Sequence, residues 1–249
     1  ELNPKLSEEI NYNAFSPLVN FFKIRGIERF INASSSSVYG FSDNPNVTEE
    51  HELLPLTSYN KFKGLCEPIL FENNSRDFIC TNVRPATVCG CSPRMRFDLS
   101  VNILTNLATR TKEITVFGGK QMRPNLHIND MCNFYEFLLE ADPILIGNKT
   151  FNISDENISI ENLAIKIKGI FKKKYNLEVS INKVESEDDK RSYHLNSDKI
   201  KKELNFNLKH SVDDAINDIY SLLQSRKFDD SLVNNIYYNI KMLKKLKIT

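Results

Sequence analysis

Ile27-Glu28-Arg29-Phe30-Ile31-Asn32-Ala33-Ser34-Ser35-Ser36-Ser37-Val38-Tyr39-Gly40, followed downstream by Tyr59-Asn60-Lys61-Phe62-Lys63, is the stretch that decides the fold. Ile27 to Ala33 reads as a short buried strand of the kind found inside a parallel sheet. The serines then leave its C-terminal end, the edge at which open parallel sheets bind ligands. Working outward, Ile10, Phe15, Leu18, Val19 and Phe22 fall near helical spacing, which predicts a helix from Ser7 to about Arg25 with Ser7 as N-cap and Gly26 as its stop. Tyr59 to Glu72 predicts a second helix, interrupted by Pro68, and Phe78 to Val83 a second buried strand. Helix, strand, loop, helix, strand is the order of crossovers in a doubly wound α/β sheet. Beyond Gly90 shorter pieces follow. Helices are expected near Leu99 to Arg110, Ile128 to Glu140, Ile160 to Phe171, Ser197 to Leu204 and Val212 to Gln224, and strands near Ile114 to Phe117, Thr150 to Ile153 and Leu177 to Asn182.

Composition narrows the class. The 249 residues carry a formal charge of +1 and 41% hydrophobic residues, which argues against a disordered chain and against a surface built to neutralise nucleic-acid phosphates. No apolar run is long enough to span a bilayer, so no membrane partner is expected. Five cysteines at irregular spacing make no disulfide framework and point to a reducing compartment, read as the cytoplasm. Cys89-Gly90-Cys91 lacks a second Cys/His pair to complete a metal site, so no metal is expected. His127 reads as a strand-end histidine, and the clusters Lys172-Lys173-Lys174 and Lys241 to Lys247 read as solvated faces.

The chemistry lies in Ser35, Tyr59 and Lys63. At i and i+4 of a helix, Tyr59 and Lys63 share one face, where an ammonium would stabilise a phenolate. A tyrosine so placed can take or give a proton, and the serine cluster could hold the same substrate oxygen. The hydride of such a reaction falls to a nicotinamide, because protein side chains cannot carry one.

Three ordered segments resemble the extended short-chain dehydrogenase/reductase family, the NAD-dependent nucleotide-sugar epimerases and dehydratases. They are Asn32 through Gly40, the stretch Val47-Thr48-Glu49-Glu50-His51 to Pro55-Leu56-Thr57-Ser58 leading into Tyr59 and Lys63, and Asn82-Val83-Arg84-Pro85-Ala86-Thr87-Val88-Cys89-Gly90, with Cys89 where tyrosine is usual. Val116 to Gly119, Arg123-Pro124-Asn125-Leu126-His127-Ile128-Asn129-Asp130 and Phe151-Asn152-Ile153-Ser154 are similar to later family segments, although Pro124 replaces the usual acidic residue. The resemblance implies a Rossmann-like α/β fold that is N-terminally incomplete. Residues 1–90 would form the C-terminal half of a dinucleotide-binding domain, and 91–249 mainly a smaller substrate lobe, with segments near 114–140 returning to the first sheet. It implies Tyr59, Lys63 and Ser35 as catalytic groups, with Ser34 and Ser36 as near alternatives for the hydroxyl, Ser34 and Pro85 beside them at an NAD or NADP cofactor, and Ser36, Thr87, Asn102, Arg123 and Arg191 toward a nucleoside-diphosphate sugar. A homodimer is expected of the complete protein.

Dehydratases of the family follow the catalytic hydroxyl with an Asp-Glu pair. Here Ser36 and Ser37 stand there, which favours an epimerase, with a keto-sugar reductase, a non-catalytic Rossmann-like binding protein or an inactive fragment as alternatives. No G-x-x-G-x-x-G phosphate loop occurs in the chain, so that loop is expected upstream of Glu1.

Overall fold

The computed structural model describes residues 3–186 and 192–248. In chain order the elements are α1 (Pro4–Glu8), a π-helical turn (Glu9–Asn13), α2 (Phe15–Ile24), β1 (Arg29–Ala33), α3 (Ser58–Glu72), β2 (Ile79–Pro85), β3 (Thr87–Cys89), α4 (Ser100–Thr111) and β4 (Glu113–Phe117). Then come β5 (Met122–His127), α5 (Ile128–Glu140), α6 (Pro143–Ile146), β6 (Lys149–Ile153), β7 (Glu156–Ser159), α7 (Ile160–Tyr175), β8 (Ser180–Val184), α8 (Asp198–Leu204), α9 (Val212–Leu223) and α10 (Asn239–Lys245). No described helix is long and apolar enough to cross a membrane. The chain divides into two units.

The first unit comprises residues 3–86, Met131–Ser154 and 192–207. Its sheet is parallel, in the order β1-β2-β6, and β2 pairs Arg29 with Ile79 on one side and Val83 with Phe151 on the other. β2 is central and buried along nearly its whole length, its polar Thr81, Asn82 and Arg84 included. One part of the core is aromatic: Val19, Leu70, Phe78 and Cys80 are buried against Phe15, Phe22 and Phe30. Another sets Phe134 of α5 edge-on to Phe151 and 4.9 Å from Phe206. Arg29 donates to the carbonyls of Leu138 (2.9 Å) and Ala141 (2.6 Å), a cation placed where the end of α5 leaves acceptors unpaired.

Three local expectations need correction. The N-cap is Asn3, whose side chain accepts the Leu6 N–H at 2.9 Å, so Ser7 lies inside α1, and the π-helical turn separates α1 from α2. α3 runs unbroken through Pro68. Proline costs roughly 3 kcal/mol in a helix interior, but Pro68 is exposed while Phe62, Cys66, Glu67 and Leu70 are buried, and that packing outweighs the lost bond. Of the stretch 114–140, only α5 from Met131 onward belongs to the first unit, and the strand that joins its sheet is β6.

The second unit comprises Thr87–Asp130, 155–186 and 208–248. β3 and β5 pair in parallel, β7 joins β5 antiparallel, and β4 and β8 form a parallel pair. α4, α7 and α9 supply Val101, Ala108, Leu163, Ile167, Phe171, Ile216 and Ile219 to one core with Phe97 and Ile114. Asp130 accepts the N–H groups of Lys209 and His210, fastening the start of α5 to the chain ahead of α9.

Candidate active site

β1 ends at Ala33, and the next residues turn sharply. Ser35 is extended (φ −161°, ψ 139°) and N-caps a short 3-10 turn over Ser36–Tyr39, its Oγ accepting the Ser37 N–H at 3.2 Å. The turn leaves through Gly40 at φ +69°, where an added Cβ would lie 1.9 Å from the Leu54 carbonyl oxygen, so only glycine fits. Ser37 Oγ donates to Asn60 Oδ1 at 2.7 Å, and Ser35 Oγ lies 2.6 Å from Ser37 Oγ. With the Ser37 proton committed to Asn60, Ser35 is the donor of the pair. The serine turn is thereby laced to the first turn of α3, at the residue beside Tyr59.

α3 starts from Thr57, whose Oγ1 accepts the Asn60 N–H at 3.3 Å. The Tyr59 side chain is 43% exposed, and Lys63 Nζ sits 5.9 Å from its ring centroid, so the helical pairing is realised. Lys63 Nζ also donates to the Ala33 carbonyl at 2.8 Å. Burial holds its pKa below the ordinary lysine value, with Cys66 acting weakly the other way.

Ser34 and Ser36 turn inward. Ser34 Oγ donates to Glu67 Oε1 at 2.5 Å, and Ser36 Oγ lies 3.0 Å from the Tyr193 hydroxyl. Pro85 closes β2 opposite Ile153. The first unit thus holds Ser34, Ser35, Ser36, Tyr59, Lys63 and Pro85. Thr87, Asn102 and Arg123 belong to the second. Thr87 pairs with Asn125 across β3 and β5. Asn102 uses both ends of its amide locally, accepting from Gly90 N (3.2 Å) and donating to Arg96 O (2.8 Å). Arg123 donates to Met122 O at 2.9 Å. Arg191 lies outside the described residues.

Beneath the serine turn is an ion pair that sequence reading missed. Arg84 donates through Nε (2.9 Å) and Nη2 (2.5 Å) to the two carboxylate oxygens of Glu67, and through Nη1 to the Tyr39 hydroxyl (2.7 Å) and the Glu49 carbonyl (3.0 Å). Tyr39 in turn donates to Asn152 Oδ1 at 2.8 Å. Burial opposes the Arg84 charge, but the hydrogen bonds and field of Glu67 outweigh it and raise its pKa above the ordinary arginine value. Burial pushes the Tyr39 phenol up to about 12 despite Arg84. An arginine inside a buried strand, with a glutamate one turn beyond Lys63, was the available signal.

The first unit thus sets serines at the end of a parallel strand against a helix that carries tyrosine and lysine. The sequence profile of the NAD dependent epimerase/dehydratase family matches residues 2–154, and the chain belongs to that family. It is 31% identical over 173 residues to the uncharacterized UDP-glucose epimerase YtcB of Bacillus subtilis, a match covering 68% of this chain and 53% of that protein. The chain therefore spans about half the length of that relative. Among solved structures, UDP-glucuronic acid 4-epimerase from Bacillus cereus with NAD superposes with a TM-score of 0.71 at 24% identity, covering 86% of this chain and 65% of that one. RMD from Pseudomonas aeruginosa with NADPH superposes at 0.77 with 18% identity, covering 90% and 76%. These likenesses show the Rossmann fold.

Proposed function

We propose that the chain carries the proton-transfer machinery of a nucleotide-sugar epimerase, with Tyr59 as acid and base, Lys63 as its electrostatic partner and Ser35 as the hydrogen-bond donor to the reacting sugar oxygen. The observation that carries this reading is the joining of the serine turn to the start of α3, with Lys63 bound to Ala33 and set beside the Tyr59 ring. The residues fit one end of a nicotinamide dinucleotide. Lys63 has three donors and spends one on Ala33, which leaves two for ribose hydroxyls, and Pro85 ends the adjoining strand. When bound, the nicotinamide accepts and returns hydride.

The chain's own part is the proton. Tyr59, exposed at the start of α3, takes the hydroxyl proton as the sugar carbon is oxidised and gives it back on reduction. Ser35 turns its hydroxyl from Ser37 to the same oxygen. Elimination of water would need a further acid and base beside Ser35, yet the Ser36 hydroxyl is engaged with Tyr193 and the Ser37 hydroxyl with Asn60, which supports epimerisation over dehydration. Arg123 is assigned to the nucleoside diphosphate, for which a guanidinium is a charge-assisted donor, and Thr87 and Asn102 to the nucleotide sugar. The apolar side chains of Leu18, Phe21 and Leu65 left exposed on α2 and α3 fit a homodimer, to be read by sedimentation.

The test incubates the intact protein with NAD and UDP-hexoses, including UDP-glucose and UDP-glucuronic acid. Stereoisomers of unchanged mass are expected, and Tyr59→Phe should lower turnover by about 10²-fold or more with UDP-sugar affinity kept. A product lighter by one water, or Tyr59→Phe at wild-type turnover, overturns the assignment.

A further inference from the structure

We propose that Glu67, clamped by Arg84, is a positioning residue that sets the placement of Ser35 against the Tyr59–Lys63 face of α3; the inference rests on the catalytic reading given above. α3 reaches the end of β1 twice, one turn apart. Lys63 Nζ binds the Ala33 carbonyl and Glu67 Oε1 binds the Ser34 hydroxyl, so successive helical turns hold the two residues that lead into Ser35. The lysine link runs through a flexible four-carbon stem and fixes little by itself. Glu67 is different, because both its oxygens are gripped by a planar guanidinium anchored on β2, the strand paired with β1.

The same guanidinium holds the other end of the turn. Arg84 Nη1 binds the hydroxyl of Tyr39, the last residue of the 3-10 turn, while Glu67 holds Ser34 just before it. One ion pair therefore spans the segment 34–39 from beneath, touching its first and last residues. Ser34, Glu67, Arg84 and Tyr39 are 4%, 4%, 6% and 2% exposed and bond one another, so each acts through Ser35. A fold needing stability alone would do as well with apolar residues there, since desolvation offsets most of the attraction in a buried pair. What the pair adds is two directional anchors at a fixed separation.

Ser34→Ala in the intact protein is the decisive variant, because it removes one hydroxyl and leaves the ion pair in place. With NAD and UDP-glucose, or whichever UDP-hexose turns over best, kcat should fall about ten- to a hundred-fold. KM for sugar and NAD should change less than about two-fold, and Ser34→Thr should restore part of the rate. Amide exchange at residues 35–38 should quicken about ten-fold, while the thermal midpoint falls by only about 2–4 °C and exchange elsewhere stays put. Glu67→Gln should give the same kcat loss per folded molecule, and the double variant no further loss. Unchanged kcat and unchanged local exchange in Ser34→Ala would overturn the proposal. Tyr59→Phe separates the two readings: if it keeps turnover the catalytic assignment falls, whereas if it is inactive and Ser34→Ala is normal, only the positioning role falls.

Discussion

Replacing Arg84 by methionine removes the cation from the Glu67 carboxylate and should be the most damaging single substitution in the first unit. Arg84 makes four hydrogen bonds, two of them to a carboxylate that is 4% exposed. Removing one partner of a buried pair strands the other charge and costs about 3–5 kcal/mol. Against a typical total of about 5–15 kcal/mol, that is roughly a fifth of the stability or more. At a urea dependence of about 2–3 kcal/mol per molar, the unfolding midpoint should fall by about 1–2 M. The double variant Glu67→Met/Arg84→Met strands no charge and loses only the partners of Ser34, Tyr39 and the Glu49 carbonyl, at about 1 kcal/mol each. It should therefore be more stable than Arg84→Met alone. Urea unfolding of the intact protein, followed by circular dichroism, measures all three. A loss under about 1 kcal/mol in Arg84→Met, or a double variant costing the sum of the two singles, would refute the reasoning.

Gly40→Ala should cost about 2 kcal/mol or more, because its Cβ would meet the Leu54 carbonyl at 1.9 Å on a backbone at φ +69°; a thermal midpoint equal to wild type would contradict this. The pKa of Glu49 is raised in the fold, chiefly by burial. Its contribution to stability is then fully present below the unfolded value of about 4.3 and is lost as pH rises through the folded one. Glu49→Gln should consequently be more stable than wild type near neutral pH and indistinguishable from it in acid, as thermal melts across that range would show. Cys132 is exposed, whereas burial pushes the thiols of Cys66 and Cys80 up to about 11 and that of Cys89 up to about 12. Mass spectrometry after brief alkylation of the native protein should find Cys132 labelled well ahead of these three.

The alternation of β1, α3 and β2 was legible because each element announces itself by period or by punctuation, as Gly26 does. α5 was legible to its ends for the same reason. The short strands β3 and β7 were not, and of β5 only its end at His127 was, since Arg123-Pro124-Asn125 carries no strand signal and forms one only because β3 and β7 pair on either side of it. Lys63 and Tyr59 could be placed from helical spacing alone. Glu67 and Arg84 could not be paired from sequence, because the contact joins a helix to a strand and depends on burial that no local pattern reports. The inward turn of Ser34 and Ser36 was hidden similarly: in a run of four serines, only the 3-10 turn decides which hydroxyls face the core.

Asn32 and Asn82 stand opposite each other across β1 and β2, both buried, and share a hydrogen bond of 2.8 Å. Because side chains alternate faces along a strand, a slip of one residue would send the two amides to opposite sides of the sheet, each without its mate. At about 1–3 kcal/mol per unsatisfied buried group, the misaligned sheet is heavily penalised. The flanking apolar residues do not discriminate so sharply, since Phe, Ile, Val and Cys pack acceptably against either neighbour. A pair of ordinary amides thus works as an alignment key for two otherwise interchangeable strands, and fixes where along β2 the serines emerge.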